Sequence, residues 1–165
     1  MTKLRELLKP SYEIFQDMDG CIADFDSRFY EFAGEDCNSF ESKNGTKAFW
    51  KLIDDVGVKF WSEMPWMPEG KKLWNYIASY NPKLLSAPSR NQNSRIGKKK
   101  WVENHLPGVK LVLAERENKQ NYSGYNKILI DDNKTTITEW KSAGGIGIYF
   151  MTTDQTINEL KLLGL

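Results

Sequence analysis

Six side chains in this sequence have the types and spacing to do chemistry in one place. Asp17 and Asp19 follow a short apolar run, Ser86 ends a second, Asp131 and Asp132 end a third, and Lys98 lies in a helical stretch between the second and third. Any one of them alone reads as a turn or helix-cap residue, because Asp and Ser favour both positions. Four carboxylates converging on one edge are a different matter, since unpaired they repel and raise one another's pKa. A divalent cation relieves that repulsion, and a hard, oxygen-only donor set suits Mg2+. His105 stands alone with no Cys paired to it, which disfavours zinc.

Helical spacing separates Lys98 from Lys99 and Lys100. Trp101, Val102 and His105 lie at i+3, i+4 and i+7 from Lys98, placing it on the apolar, inward face, while Lys99 and Lys100 project to solvent. Lys98 is then free to reach the carboxylate edge and balance the charge of a bound phosphoryl group. Phosphoryl transfer depends on such positioning and electrostatics. Asp17 can act as a nucleophile forming an aspartyl-phosphate, and Asp19, two residues on, as general acid and then base. Ser86 and backbone N–H groups near Gly20 are expected to hold phosphate oxygens.

These residues need a scaffold that brings strand ends together. Residues 1–10 predict a short amphipathic helix or turn stopped by Pro10. Tyr12, Ile14 and Phe15 predict a buried strand, followed by Lys83–Ser86, Val109–Leu113, Lys127–Ile130 and Gly147–Phe150. Helices are expected over Glu69–Tyr80, with Leu73, Trp74 and Ile77 inward, and over Arg95–Leu106, Thr136–Ala143 and Ile157–Leu163, the last covering the sheet. Alternating strands and helices predict an α/β fold, a doubly wound parallel sheet with right-handed crossovers. In such sheets ligands bind beyond the carboxyl ends of the strands. Residues 25–80 contain no strand-like run and predict a helical cap inserted after the first strand, leaving residues 1–24 and 81–165 as the core. Lids of this kind close over a substrate and exclude water.

Composition narrows the choice. The chain has 165 residues, with 23 Lys+Arg against 22 Asp+Glu and a net charge of +1. That balance lacks the basic excess of a nucleic-acid-polymer binder. Cys21 and Cys37 are too few for a disulfide scaffold, reading instead as a packing residue and a cap residue. No apolar run reaches the ~18–20 residues of a membrane span, and no signal-peptide core is evident, so a reduced, cytoplasmic setting is expected. Aromatics make up 13% of the residues and crowd into the insertion, as core filler or as a stacking surface.

The ordered set Asp17-Met18-Asp19-Gly20, Ser86, Lys98 and Ile130-Asp131-Asp132 resembles the four motifs of the haloacid dehalogenase-like (HAD) hydrolases. Within that superfamily the sequence is most similar to the 5'(3')-deoxyribonucleotidases, on DMDGCIADF (Asp17 to Phe25), LLSAPSR (Leu84 to Arg90), KKKWVENHL (Lys98 to Leu106) and LIDDN (Leu129 to Asn133). The resemblance is weaker in residues 25–80. It implies Asp17 as nucleophile and Asp19 as acid/base. It implies Mg2+ held by Asp17, the Asp19 carbonyl and one or both of Asp131 and Asp132, with phosphate bound by Gly20, Ser86, Ala87 and Lys98. Ala87 stands where those enzymes usually carry a phosphate-contacting Ser. Phe25, Phe49 and Trp50 would line a base pocket, Arg90 occupies the place of a substrate-facing Lys, and Arg116 is a further substrate contact.

The implied substrate is a small-molecule nucleotide, with neither membrane nor nucleic-acid polymer as partner and a homodimer left open. The same chemistry on another small phosphate ester is the alternative. A phosphorylated receiver module fits less well, because its acidic pair follows the first strand. A non-catalytic nucleotide binder would have no use for a proton shuttle at Asp19.

Overall fold

The computed structural model describes residues 11–165, so the helix expected over residues 1–10 lies outside the described part. Five parallel strands form one sheet in the order β3-β2-β1-β4-β5: β1 (Glu13–Gln16), β2 (Lys83–Ser86), β3 (Leu111–Leu113), β4 (Lys127–Asp131) and β5 (Ile146–Tyr149). All ladders are parallel, and β1 is central, pairing Gln16 with Leu84 on one side and Ile130 on the other. That register sets the ends of β1, β2 and β4 side by side, so Asp17, Ser86 and Asp131 meet at one edge.

Strand alternation fills both faces of the sheet. Ile14, Leu84, Ile128 and Ile130 point into the larger cluster with Trp101, Leu73, Ile77 and Leu160, while Phe15, Leu85 and Leu129 point the other way onto Ile137 and Trp140. Covering these faces are α6 (Gln92–His105), α7 (Lys134–Ser142) and α8 (Thr153–Leu162). Side chains of Asn91, Asn133 and Thr152 cap their N-termini, accepting from Asn93, Thr136 and Gln155 backbone N–H groups. The caps start α6 and α8 three and four residues earlier than apolar spacing alone suggests. Between β3 and β4 there is no α-helix, only a 3-10 segment, Arg116–Tyr122.

Between β1 and β2 the chain makes five α-helices, α1 (Phe25–Ala33), α2 (Cys37–Asn44), α3 (Thr46–Val56), α4 (Val58–Ser62) and α5 (Gly70–Ile77), and a short 3-10 turn, Ala78–Tyr80. Phe29, Phe49, Ile53 and Phe60 are buried among them. Arg28 ties α1 to the end of α4, donating to the carbonyls of Lys59 (2.9 Å) and Phe60 (3.3 Å) and pairing with Glu31 and Glu63. The bond to the Phe60 carbonyl satisfies a group that the helix end leaves without a backbone partner, while the Lys59 carbonyl also accepts from the Glu63 N–H.

The insertion is tied to the core where α4 crosses α6 at Gly97. A Cβ at Gly97 would lie 2.4 Å from Trp61 Cβ and 2.7 Å from the Val58 carbonyl, so only glycine permits this approach. Trp101 adds a buried bond from its indole N–H to the Met64 carbonyl, 2.8 Å. Among the described residues no helix is long and apolar enough to cross a membrane.

Candidate active site

The turn after β1 is wound about one carbonyl. The N–H groups of Cys21, Ile22 and Ala23 all approach the Met18 oxygen, and Met18, Cys21, Ile22 and Ala23 are fully buried. This packing leaves Asp17 and Asp19 facing the strand-end edge. Gly20 sits at φ +77°, and a Cβ there would come within 2.2 Å of Asp132 Oδ2. Gly20 is therefore required for backbone shape and for close approach of Asp132. Its N–H donates to the Ala23 carbonyl at 2.9 Å, which corrects the expectation that it holds a phosphate oxygen.

Two buried lysines divide the carboxylates between them. Lys98, fully buried on α6, donates to Asp19 Oδ2 (2.5 Å), Ser86 Oγ (2.7 Å) and the Ala87 carbonyl (3.0 Å). Its ammonium also lies 5.2 Å from the Trp61 ring centroid. The helical spacing thus assigned its direction correctly. Lys119, 3% exposed, donates to Asp17 Oδ1 (2.8 Å) and Asp131 Oδ2 (2.7 Å). Burial alone would lower the Lys119 ammonium, but Asp17 and Asp131 outweigh it and hold it above its usual value.

Lys119 was not among the sequence candidates. It lies in the 3-10 segment, where no apolar period marks an inward face. The available signal was a charge deficit, since one lysine cannot balance four carboxylates. Arg116, three residues earlier, was the residue of this segment expected to contact substrate. The structure corrects this: the Arg116 guanidinium is engaged by Glu139 at 2.8 Å and does not line the cleft.

The acids are tuned apart. Burial raises the Asp19 carboxyl, with Lys98 opposing and Asp17 adding to the rise. Its Oδ1 is buried and has no hydrogen-bond partner among the described residues. An orphaned carboxyl oxygen beside a second carboxylate suits a group that carries a proton. Asp131 has both oxygens engaged, by Lys119 and by the Asn133 N–H at 2.9 Å. Asp132 is exposed along the cleft, and its carboxyl is pushed up to about 7, first by loss of hydration and then by Asp17 and Asp131. Of the adjacent pair, Asp132 is the open one.

Carboxylate oxygens of Asp17 and Asp132 and the Cys21 sulfur lie within 4.8 Å of one another. The Cys21 thiol is held well above its ordinary value by burial and then by Asp17, so it stays neutral and is no ligand for a hard cation. Two crowded carboxylates, one of them driven toward protonation, fit a divalent cation with oxygen donors.

The edge opens into a cavity of about 620 Å³ between the insertion and the core. Phe25, Trp50, Trp61, Ala87 and Arg90 line it beside Asp19, as do Thr46 and Asp54 from α3. A neighbouring recess of about 270 Å³ shares Asp19 and Phe25 with it and reaches Gly20 and Asp132. Phe49 is not brought to the cavity. It is 7% exposed and stacks on Phe29 at 4.6 Å, so it belongs to the core of the insertion. The reason is helical phase: Phe49 and Trp50 are adjacent and point about 100° apart.

This arrangement, a five-stranded parallel sheet with acidic strand ends and a helical insertion after β1, is similar in fold to solved structures described as HAD-superfamily hydrolases. A HAD-superfamily hydrolase from Ehrlichia chaffeensis is similar at a TM-score of 0.61 and 10% identity, over 96% of this chain and 100% of that one. A hydrolase from Streptococcus pneumoniae TIGR4 is similar at 0.57 and 13% identity, over 94% and 100%. A HAD-hydrolase from Bacillus subtilis, described as bound to magnesium, is similar at 0.56 and 12% identity, over 95% and 100%. No family model and no curated protein matches the sequence.

Proposed function

We propose that the protein is a Mg2+-dependent phosphomonoesterase that hydrolyses nucleoside monophosphates to nucleoside and phosphate. The observation that carries this reading is the hydrogen-bonded grouping of Asp17, Asp19, Ser86, Lys98 and Lys119, from which Asp19 reaches an aromatic-lined cavity. Asp17 and Asp132, with the Asp19 carbonyl, would hold Mg2+, which supplies charge neutralisation for the phosphoryl oxygens.

In the first step an Asp17 carboxylate oxygen attacks phosphorus as the ester P–O bond breaks, and Asp19 gives its proton to the leaving oxygen. In the second, water attacks the aspartyl-phosphate, Asp19 takes the water's proton, and the bond to Asp17 breaks to release phosphate. Lys98 holds Asp19 and Ser86 in register with each other. Lys119 donates to Asp17 Oδ1 and so orients the attacking carboxylate.

The test is phosphate release from dUMP, dTMP, other nucleotides and sugar phosphates, with and without Mg2+. Asp17→Asn should lower turnover by roughly 10³-fold or more, and intact turnover in that variant would exclude the covalent route. Asp19→Asn should cost about 10²–10⁴-fold, the usual share of general acid–base catalysis. The alternative is the same chemistry on another small phosphate ester. Preference for a sugar phosphate over every nucleotide in the panel would establish it.

A further inference from the structure

The wall that α3 presents to the cavity carries a selective group outside the phosphoryl-transfer machinery. Thr46, Trp50 and Asp54 are spaced four apart, so they fall along one side of α3, and all three line the cavity. Phe49 and Ile53, on the adjoining side of the helix, are buried. Trp50 offers a ring. The Thr46 hydroxyl already donates to Glu41 at 2.6 Å, so what it has left for a ligand is an acceptor. Among the described residues Asp54 has no hydrogen-bonded or ionic partner. Lys51, the lysine nearest in sequence on α3, is paired with Asp55 at 2.7 Å. Glu115, another carboxylate on the cavity, is engaged by Arg95 at 3.0 Å.

A bound leaving group that fills this cavity strips water from Asp54. A carboxylate desolvated without a donor is costly, whereas one met by N–H groups is not. We propose that Asp54 makes this cavity selective for leaving groups bearing an exocyclic amino group, so that cytosine, adenine and guanine nucleotides are preferred over thymine and uracil nucleotides. Thymine and uracil flank their single ring N–H with two carbonyl oxygens, which face a carboxylate unfavourably. The inference rests on the nucleoside monophosphate reading and names the base class within it. Asp54 acts here as a substrate-specificity residue, with no part in the bond-breaking steps.

The experiment compares kcat/KM for dCMP, dAMP and dGMP with that for dTMP and dUMP in the wild-type protein, Asp54→Asn and Asp54→Ser. The amino-bearing substrates should be preferred by about 10-fold or more, since sites built around a hydrogen bond discriminate strongly against analogues that lack it. Both substitutions should bring the ratio toward one, through KM more than through kcat. Equal wild-type rates for the two groups, a preference for dTMP or dUMP, or an undiminished ratio in both variants would each overturn the assignment while leaving the nucleotidase reading in place. Hydrolysis of sugar phosphates with no turnover of any nucleotide would remove both.

Discussion

Removing the charge on Lys119 should expose how much of this site is electrostatic tension. Lys119 and its partners Asp17 and Asp131 are all buried, and the two carboxylates share that one ammonium. Deleting one partner of a buried ion pair leaves uncompensated charge, which costs about 3–5 kcal/mol. Lys119→Met, which keeps most of the volume, should therefore lower the unfolding free energy by about that amount in urea titrations. Added Mg2+ should recover part of the loss by supplying positive charge to Asp17. An unchanged urea midpoint would show that Lys119 does not compensate these carboxylates. Asp17, Asp19 and Ser86 were legible in the sequence because strand ends are local signals: an apolar run stops and a polar group follows. Lys119 was not, because its inward direction depends on a 3-10 segment whose geometry only the folded sheet edge imposes. Phe49 and Trp50 show the same limit, since the aromatic pair was visible but the phase of the helix carrying it was not.

Helix α6 joins the chemistry to the insertion through consecutive residues. Gly97 admits α4, and Lys98 grips Asp19 and Ser86. Gly97→Ala would force a methyl group against Trp61 Cβ and the Val58 carbonyl, neither of which is the free end of a flexible side chain. Overpacking of this kind typically costs 1–3 kcal/mol, so thermal unfolding should move down accordingly. Turnover should fall further than stability alone requires, because any shift of α6 displaces the Lys98 ammonium. A variant with lowered stability but unaltered kcat would separate the two roles. The same crossing bears on the expected closing lid: a free swing of the whole insertion would have to break the α4–α6 contact. Alternation of strand and helix made the doubly wound sheet readable from sequence. A glycine inside a helix pattern announces only that something comes close, and the partner, Trp61 far back in the chain, is a property of the assembled fold.

At the scale of the whole molecule, near-neutral composition hides a strongly acidic edge whose stability depends on pH and on cation. Asp132 has its folded-state carboxyl raised from 3.8 to about 7. A carboxyl raised on folding favours the folded state most when protonated, so its contribution is complete below 3.8 and is lost as pH rises through about 7. Without a divalent cation, the protein should therefore lose thermal stability between pH 6 and pH 8. A cation needs the ionised carboxylate, so protons and Mg2+ compete for Asp132 and run in opposite directions. Saturating Mg2+ should raise Tm more at pH 8 than at pH 6, with stabilisation reaching about 2.7 kcal/mol when the cation is at a hundred times its Kd. Asp132→Asn removes the titrating group and should flatten both trends, giving a Tm that varies less with pH and responds weakly to Mg2+. A Mg2+ increment equal at the two pH values, or one that survives Asp132→Asn in full, would place the cation on other ligands and leave Asp132 as a packing partner of Gly20.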